Sequence, residues 1–311
     1  MVAKQEKIGR KPGFSNKNLA NSIKDLSSNT TMEKTQMTRH AEILCIGNEL
    51  LIGKTVNTNA TWLAKQATSL GITVKRVTVI GDNIKEIAAA VKEALARKPR
   101  FLITTGGLGP TFDDMTLEGI AKALNIKLKV NAQALSMIKA RYEAYCREKR
   151  IPTAELTPPR VKMAILPEGA EPLRNSVGTA PGVKLKVGQT HMFILPGVPP
   201  EMKAIFEESV VPVLKKSAGK HAFFEKSMFV SNIVESSLAP LIDLVMRENP
   251  HVYVKSHVYT KDELAGEDAR KLIELHLSTK TRSQRMAQKL LEHAASQLAK
   301  LVADNDGKVE P

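Results

Sequence analysis

Phe101-Leu-Ile-Thr-Thr-Gly-Gly-Leu-Gly-Pro-Thr-Phe-Asp-Asp-Met-Thr-Leu-Glu118 is the stretch that decides how this 311-residue chain folds. Its apolar start, closing in Thr104 and Thr105, reads as a short buried strand that runs into a glycine-rich turn and then a helix. Gly106, Gly107 and Gly109 let several backbone N–H groups point into one concavity, which suits phosphate oxygens. Asp113 and Asp114 follow at once. Two carboxylates beside a phosphate repel it directly, so their expected use is to hold a divalent cation that bridges to it. The plainer alternative is that the glycines only make a turn and an Asp caps the helix.

Outward from this stretch, strand and helix patterns alternate. Ala41 to Ile46 reads as a strand closed by Gly47, with Asn48 to Leu51 a loop or turn. Trp62, Leu63, Ala67 and Leu70 recur at helical spacing, with Thr58 or Asn59 as cap and Gly71 as stop. Ile72 to Ile80 alternates as a strand does, and Ile84, Ile87, Ala88, Val91 and Leu95 mark the helix before Phe101. Such alternation implies an α/β fold with a mostly parallel sheet covered on both faces. Further helices are expected on Ile120, Ala121 and Leu124 and over about 132–149, and strands at Val161 to Leu166 and Met192 to Leu195. Between those strands, 175–182 is too rich in turn formers for a core element. Pro200 suits a first helical turn, with Met202, Ile205 and Phe206 buried behind it and the helix fading near Pro212. Beyond a linker at 215–220, the pattern becomes a small α+β unit: strands near 226–233, 252–258 and 271–278, and helices over about 236–248 and through Met286 to Leu301. The domains read as a flexible basic tail 1–38, a ligand-binding domain 39–218, a small domain 219–304 and a tail 305–311.

Composition narrows the partners. The formal charge is +14, but residues 1–40 hold eight Lys or Arg against three Asp or Glu, so part of the excess belongs to the tail. Aromatic content of 4% offers little for base-stacking surfaces, and nucleic acid is not the expected partner. Cys45 and Cys146 fall in strand and helix patterns, which argues against a disulfide and for a reducing, cytoplasmic setting. No apolar run approaches the roughly 18 residues that span a bilayer, so no membrane partner is expected.

Three turns, Gly47 to Glu49, Gly106 to Asp114 and Pro196 to Glu201, each follow the carboxyl end of an expected strand, the edge where parallel sheets bind ligands. Glu49, Asp113 and Asp114 are the catalytic candidates. They share one metal, or one of them orients an attacking water, unless Glu49 merely caps its turn. Gly47 to Thr55 resembles a P-loop, but five residues separate its glycines where that motif has four. No Gly-x-Gly-x-x-Gly follows a strand and no Gly-x-Ser-x-Gly elbow occurs. His251 and His257 read as sharing a strand face at spacing six, but nothing near them or His276 completes a Cys or His metal set.

Ile46-Gly-Asn-Glu-Leu-Leu51, Asn57-Thr-Asn59, Thr105 to Thr116, Val177-Gly-Thr-Ala-Pro-Gly182 and Leu195-Pro-Gly-Val-Pro-Pro-Glu-Met202 together resemble the MoaB/Mog-type molybdopterin-binding domain as it occurs in CinA (competence/damage-inducible) proteins. The small unit resembles the α+β domain that follows in archaeal members related to nicotinamide mononucleotide deamidase. The resemblance implies a three-layer α/β/α domain in which Thr105, Gly106, Gly107 and Gly109 bind phosphate. Gly47, Asn48, Thr111, Gly178, Thr179, Pro196 and Gly197 complete the expected ligand contacts. It implies that Asp114 is the active-site acid and, with Glu49, holds a divalent cation (Mg²⁺, Mn²⁺ or Co²⁺). The implied activity is metal-dependent hydrolysis of ADP-ribose, with molybdopterin binding or adenylylation as the alternative from the same fold and a nucleic-acid-binding module as the alternative from another class. Relatives of this type self-associate, so a homo-oligomer is expected. Asn48 and Asn57 stand where the family pattern often has Asp. The separate deamidase domain of longer members is expected to be absent, and its activity is not carried over.

Overall fold

A computed structural model describes residues 40–150, 155–218, 222–259 and 272–310. The expected basic tail 1–38 lies outside them, as does part of the 215–220 linker. The described residues cluster as one compact unit.

The central sheet has six strands: β1 (His40–Ile46), β2 (Thr73–Ile80), β3 (Phe101–Thr105), β6 (Glu171–Leu173), β7 (Gly182–Val187) and β8 (Thr190–Leu195). Their order is β2-β1-β3-β8-β7-β6. The first four are mutually parallel, β7 runs antiparallel to β8, and β6 runs antiparallel to β7. Side-chain alternation on the buried strands feeds two cores. Leu44, Ile46, Leu102, Met192 and Ile194 pack on one face, and Ile43, Cys45, Phe101, Ile103, Phe193 and Leu195 on the other. Helices cover both faces, which gives the three layers.

The first face is covered by α3 (Ile84–Ala96), α4 (Thr116–Leu124) and α5 (Ala132–Lys149), and the second by α2 (Thr58–Ser69), α7 (Pro199–Ile205) and α8 (Val211–Ala218). Asn57 caps α2, its side chain accepting from the Ala60 N–H at 3.1 Å, so neither Thr58 nor Asn59 serves as cap. Asn48–Leu51 is not a loop but a one-turn helix, α1. The strand expected over Val161 to Leu166 is replaced by α6 (Pro158–Lys162) and a short strand, β5 (Ile165–Pro167), which pairs with β4 (Leu128–Val130). Pro158 and Pro159 explain the change, because proline's fixed φ suits a first helical turn and its missing N–H costs nothing there.

Nor does the helix fade at Pro212. A π-helical turn over Phe206–Val210 separates α7 from α8, so Pro212 falls at the second position of a new α-segment instead of inside one. A proline within one regular helix would clash with the carbonyl four residues back. Cys45 and Cys146 are both free.

The smaller sheet joins β9 (Ala222–Ser231), β10 (Val252–Val258), β11 (Ile273–Thr281) and β12 (Lys308–Glu310) in the antiparallel order β10-β11-β9-β12. With α9 (Glu235–Glu248) and α10 (Gln284–Ala303) it forms a split β-α-β arrangement around a third core that includes Val230, Leu275, Leu277 and Leu298. Residues 308–310, expected as tail, are thus sheet. His251 lies before β10, so it shares no strand face with His257, and His276 pairs with Glu225 at 3.2 Å.

Candidate functional site

From β1 the chain passes to β2 on one side and then to β3 on the other, so β1 and β3 flank the crevice where strand order reverses. That crevice, at the carboxyl ends of the strands, is where open α/β sheets take ligands. Its floor is the glycine turn. Gly106 has φ 109°, and a Cβ there would lie 2.0 Å from the Ile46 carbonyl oxygen. Gly107 has φ 65°, and its Cβ would lie 2.3 Å from Thr116 Oγ1. Thr116 fixes the turn from the helix side: its hydroxyl donates to the Gly106 carbonyl at 2.8 Å and its N–H to the Gly107 carbonyl at 3.2 Å. The Gly106 N–H donates to the Leu195 carbonyl, whereas among the described residues the N–H groups of Gly107, Leu108 and Gly109 have no protein acceptor. These three residues line an open cavity of about 500 Å³, a size that accommodates a nucleotide-sized ligand.

Of the residues expected to contact ligand, Gly47, Thr111, Gly178, Thr179, Pro196 and Gly197 line the same cavity. Thr105 and Asn48 do not. Thr105 is 3% exposed, and its hydroxyl donates to the Pro196 carbonyl at 2.8 Å while accepting from Asn59 Nδ2 at 3.0 Å. Asn59 Nδ2 also donates to the Gly197 carbonyl at 2.8 Å. Thr105 therefore ties the β3 turn to the β8 turn from beneath. Asn48 is taken up by Asp82: the Asn48 N–H donates to Asp82 Oδ2 at 2.8 Å, and the Asp82 N–H donates to Asn48 Oδ1 at 3.2 Å.

Four carboxylates stand on one side of the cavity, Glu49, Asp82, Asp113 and Asp114. The Glu49 carboxylate folds over Gly47, where a Cβ would come within 2.4 Å of it. Asp114 does not cap α4, whose first turn begins after Met115 without a side-chain cap. Instead Asp114 Oδ2 accepts from the Thr111 N–H at 2.9 Å, and the Thr111 hydroxyl lies 2.5 Å from both Asp113 Oδ1 and Asp114 Oδ2. The hydrogen bond from Thr111 holds the Asp113 carboxyl below the usual carboxylate range, helped by its own backbone and by Lys162. Asp82 shifts the other way. Burial raises its pKa first, the Asn48 N–H opposes this, and repulsion from Glu49, Asp113 and Asp114 adds to it. Among the described residues no three metal-ligating side chains converge on one point.

The opposite wall is the Val177–Gly182 segment with α5 and α7 behind it. Asn175 is buried and organises the segment, its Oδ1 accepting from the Val177 and Gly178 N–H groups and its Nδ2 donating to the Ala180 carbonyl and to Glu201 Oε2. The Glu201 carboxylate occupies the place where a Cβ on residue 178 would stand, so glycine there makes room for the acid. Arg141 holds the segment from outside through the Gly178 and Val177 carbonyls at 2.8 and 2.6 Å. Beside it, Tyr142 lines the cavity with the Arg160 guanidinium 3.8 Å from its ring centroid.

Sequence reasoning missed Asp82, Tyr142 and Glu201 as cavity residues. Asp82 had a signal, because Gly81-Asp82 follows the carboxyl end of a strand as the other three turns do. Glu201 stood inside a quoted motif. Tyr142 had no signal, since its helix reaches the crevice only through packing.

Residues 42–216 match the family described as probable molybdopterin binding domain. A protein of Pyrobaculum arsenaticum is 42% identical over 267 residues, which are 86% of this chain and 96% of its own. Another, of Aeropyrum pernix, is 49% identical over 217 residues, 70% of this chain and 78% of its own. Among solved structures, a CinA protein of unknown function from Thermoplasma acidophilum is 41% identical, with a TM-score of 0.51 over 58% of this chain and 99% of its own. No helix among the described residues is long and apolar enough to cross a membrane.

Proposed function

Because the chain belongs to the family of the probable molybdopterin binding domain, we propose that its crevice binds a phosphate-bearing nucleotide and hydrolyses the pyrophosphate bond with a divalent cation, ADP-ribose being the favoured substrate. The observation that carries this reading is the juxtaposition of three unengaged N–H groups, at Gly107, Leu108 and Gly109, with the carboxylates of Glu49, Asp82, Asp113 and Asp114 on one cavity. Fixed N–H donors suit phosphate oxygens, and the neighbouring carboxylates need a cation before an anion can lie beside them.

The donor set fits a cation that arrives with its substrate. Mg²⁺ characteristically takes one or two carboxylates together with substrate phosphates, so Asp114 and Glu49 need not be joined by a third side chain. When bound, the cation neutralises the diphosphate and polarises phosphorus toward attack. The rest falls to the chain's own groups. The glycine turn orients the phosphate, Thr111 holds Asp113 and Asp114 in place, and Asp82, whose raised pKa suits a base, takes the proton of the attacking water. Water oxygen bonds to phosphorus as the bridging P–O bond breaks, releasing AMP and ribose 5-phosphate.

A second reading rests on the family match: the same turn and crevice carry the phosphate of a pterin, which the protein binds or adenylylates. Chromatography of ADP-ribose incubated with purified protein, with and without Mg²⁺, Mn²⁺ or Co²⁺, separates the two. The test variant is Asp114→Asn, which keeps an oxygen for Thr111. Cation-dependent AMP release, reduced at least about hundredfold in the variant, supports hydrolysis. No product, together with tight pterin binding, hands the site to the second reading.

A further inference from the structure

The carboxylate side and the glycine turn account for a phosphate and its cation, but the cavity extends to a wall of different chemistry. Tyr142 is half-buried against the first core and is one of the residues that line the cavity. The Arg160 guanidinium carbon sits over the Tyr142 ring, 3.8 Å from its centroid. Arg160 is itself held, its Nη1 donating to the Glu155 carbonyl at 2.6 Å. A guanidinium so placed fixes the ring plane from one face, so a ligand ring would stack on the other. The Tyr142 hydroxyl has no hydrogen-bond partner among the described residues. On the same wall Glu201 uses Oε2 for Asn175 Nδ2, while Oε1 has no donor among the described residues.

We propose that Tyr142, backed by Arg160, and Glu201 form a heterocycle subsite that stacks a planar nitrogen ring and accepts from its exocyclic amino group. The inference rests on the reading that the glycine turn holds the ligand's phosphate, and it fixes which end of the ligand points where. Adenine and pterin share the recognised chemistry, a flat π-face and an amino group. Tyr142 touches the ring, Glu201 touches its edge, and Arg160 is a positioning residue that acts through Tyr142.

Calorimetric titration of the wild-type protein, Tyr142→Ala and Tyr142→Phe with AMP, adenosine, ribose 5-phosphate and free pterin tests this. Loss of a stacking ring weakens binding of a base by about tenfold or more. Tyr142→Ala is expected to weaken AMP and adenosine, or AMP and pterin, by that factor and to leave ribose 5-phosphate unchanged, with Tyr142→Phe restoring most of the loss. Whichever of adenosine and pterin binds more tightly names the ring source. Glu201→Gln is expected to weaken the amino-bearing ligands and not ribose 5-phosphate. Equal losses for AMP and ribose 5-phosphate, or none for AMP, overturn the subsite. If adenosine binds as tightly as AMP and ribose 5-phosphate not at all, with the Tyr142 dependence intact, the subsite stands and the phosphate reading falls. Failure of every probe to bind the wild-type protein overturns both.

Discussion

The two ends of the central sheet are built on opposite principles. At the carboxyl edge, backbone N–H groups at Gly107 to Gly109 lack acceptors and carboxylates crowd one another around open space. At the amino edge the same strands end mostly in paired contacts, although the buried His191 Nδ1 has no hydrogen-bond partner among the described residues. Glu42, 4% exposed, takes a bidentate grip from Arg97, with Nη2 at 2.7 Å and Nε at 2.9 Å. The Thr190 hydroxyl donates to the Pro99 carbonyl at 2.6 Å, and His191 stacks on Phe101 with centroids 5.9 Å apart. One edge therefore holds the sheet together and the other keeps unmet bonding capacity for a ligand. The four parallel strands β2, β1, β3 and β8 make this division natural, since all four end on the same side.

The most forceful way to break the comparison is Arg97→Met, which leaves Glu42 buried without its partner. We expect a loss of about 3 kcal/mol in urea unfolding, and recovery of much of it in the double variant with Glu42→Leu. Ligand affinity should not move. A variant of undiminished stability but weakened ligand binding would mean that the amino edge serves the site after all.

Asp82→Asn probes the other edge. As the proposed base, Asp82 is worth about a hundredfold in turnover, with the fold unaffected by thermal melting. The protonated carboxyl cannot accept a proton, so wild-type turnover climbs with pH as Asp82 ionises, over a range that burial moves upward from the ordinary aspartate value and a neighbouring cation moves back. The variant should lack that limb, and an unaltered profile removes Asp82 from the chemistry.

The smallest effect belongs to His191. Burial lowers its pKa, with Arg100, Lys186 and Lys184 adding repulsion, so the fold favours the neutral ring. Below about pH 6.5 the unfolded chain binds a proton that the folded chain resists, and stability falls as pH falls. Removing the imidazole in His191→Phe should flatten that part of the stability curve by a fraction of a proton. Unfolding midpoints measured between pH 5 and pH 8 that run parallel in the two proteins would show the stacked ring to be electrically silent.

What lay open in the sequence was local. Strand, glycine turn and helix at 101–124 follow from apolar alternation, from positive φ at Gly106 and Gly107, and from helical spacing at Ile120 and Ala121, all of which neighbouring residues specify among themselves. The two antiparallel strands β6 and β7 escaped notice although Val183 to Val187 alternates cleanly, because the turn formers before it dominated the pattern. Pro212 pointed to a helix end, and a π-helical turn accommodated it.

The site was decided by contacts far apart in the chain. Asn48 and Asp82 bind each other across 34 residues, Thr105 and Pro196 across 91, and Arg141 reaches Gly178 across 37. Residue types alone identified the acids and the glycines that a phosphate and its cation require, since that chemistry is written in the side chains themselves. Which of them face the cavity depended on strand register and helix packing. Those place Thr105 beneath the floor, turn Asn48 toward Asp82, and bring Tyr142 and Glu201 to the far wall, because burial free energy is settled by the whole core and not by any one segment.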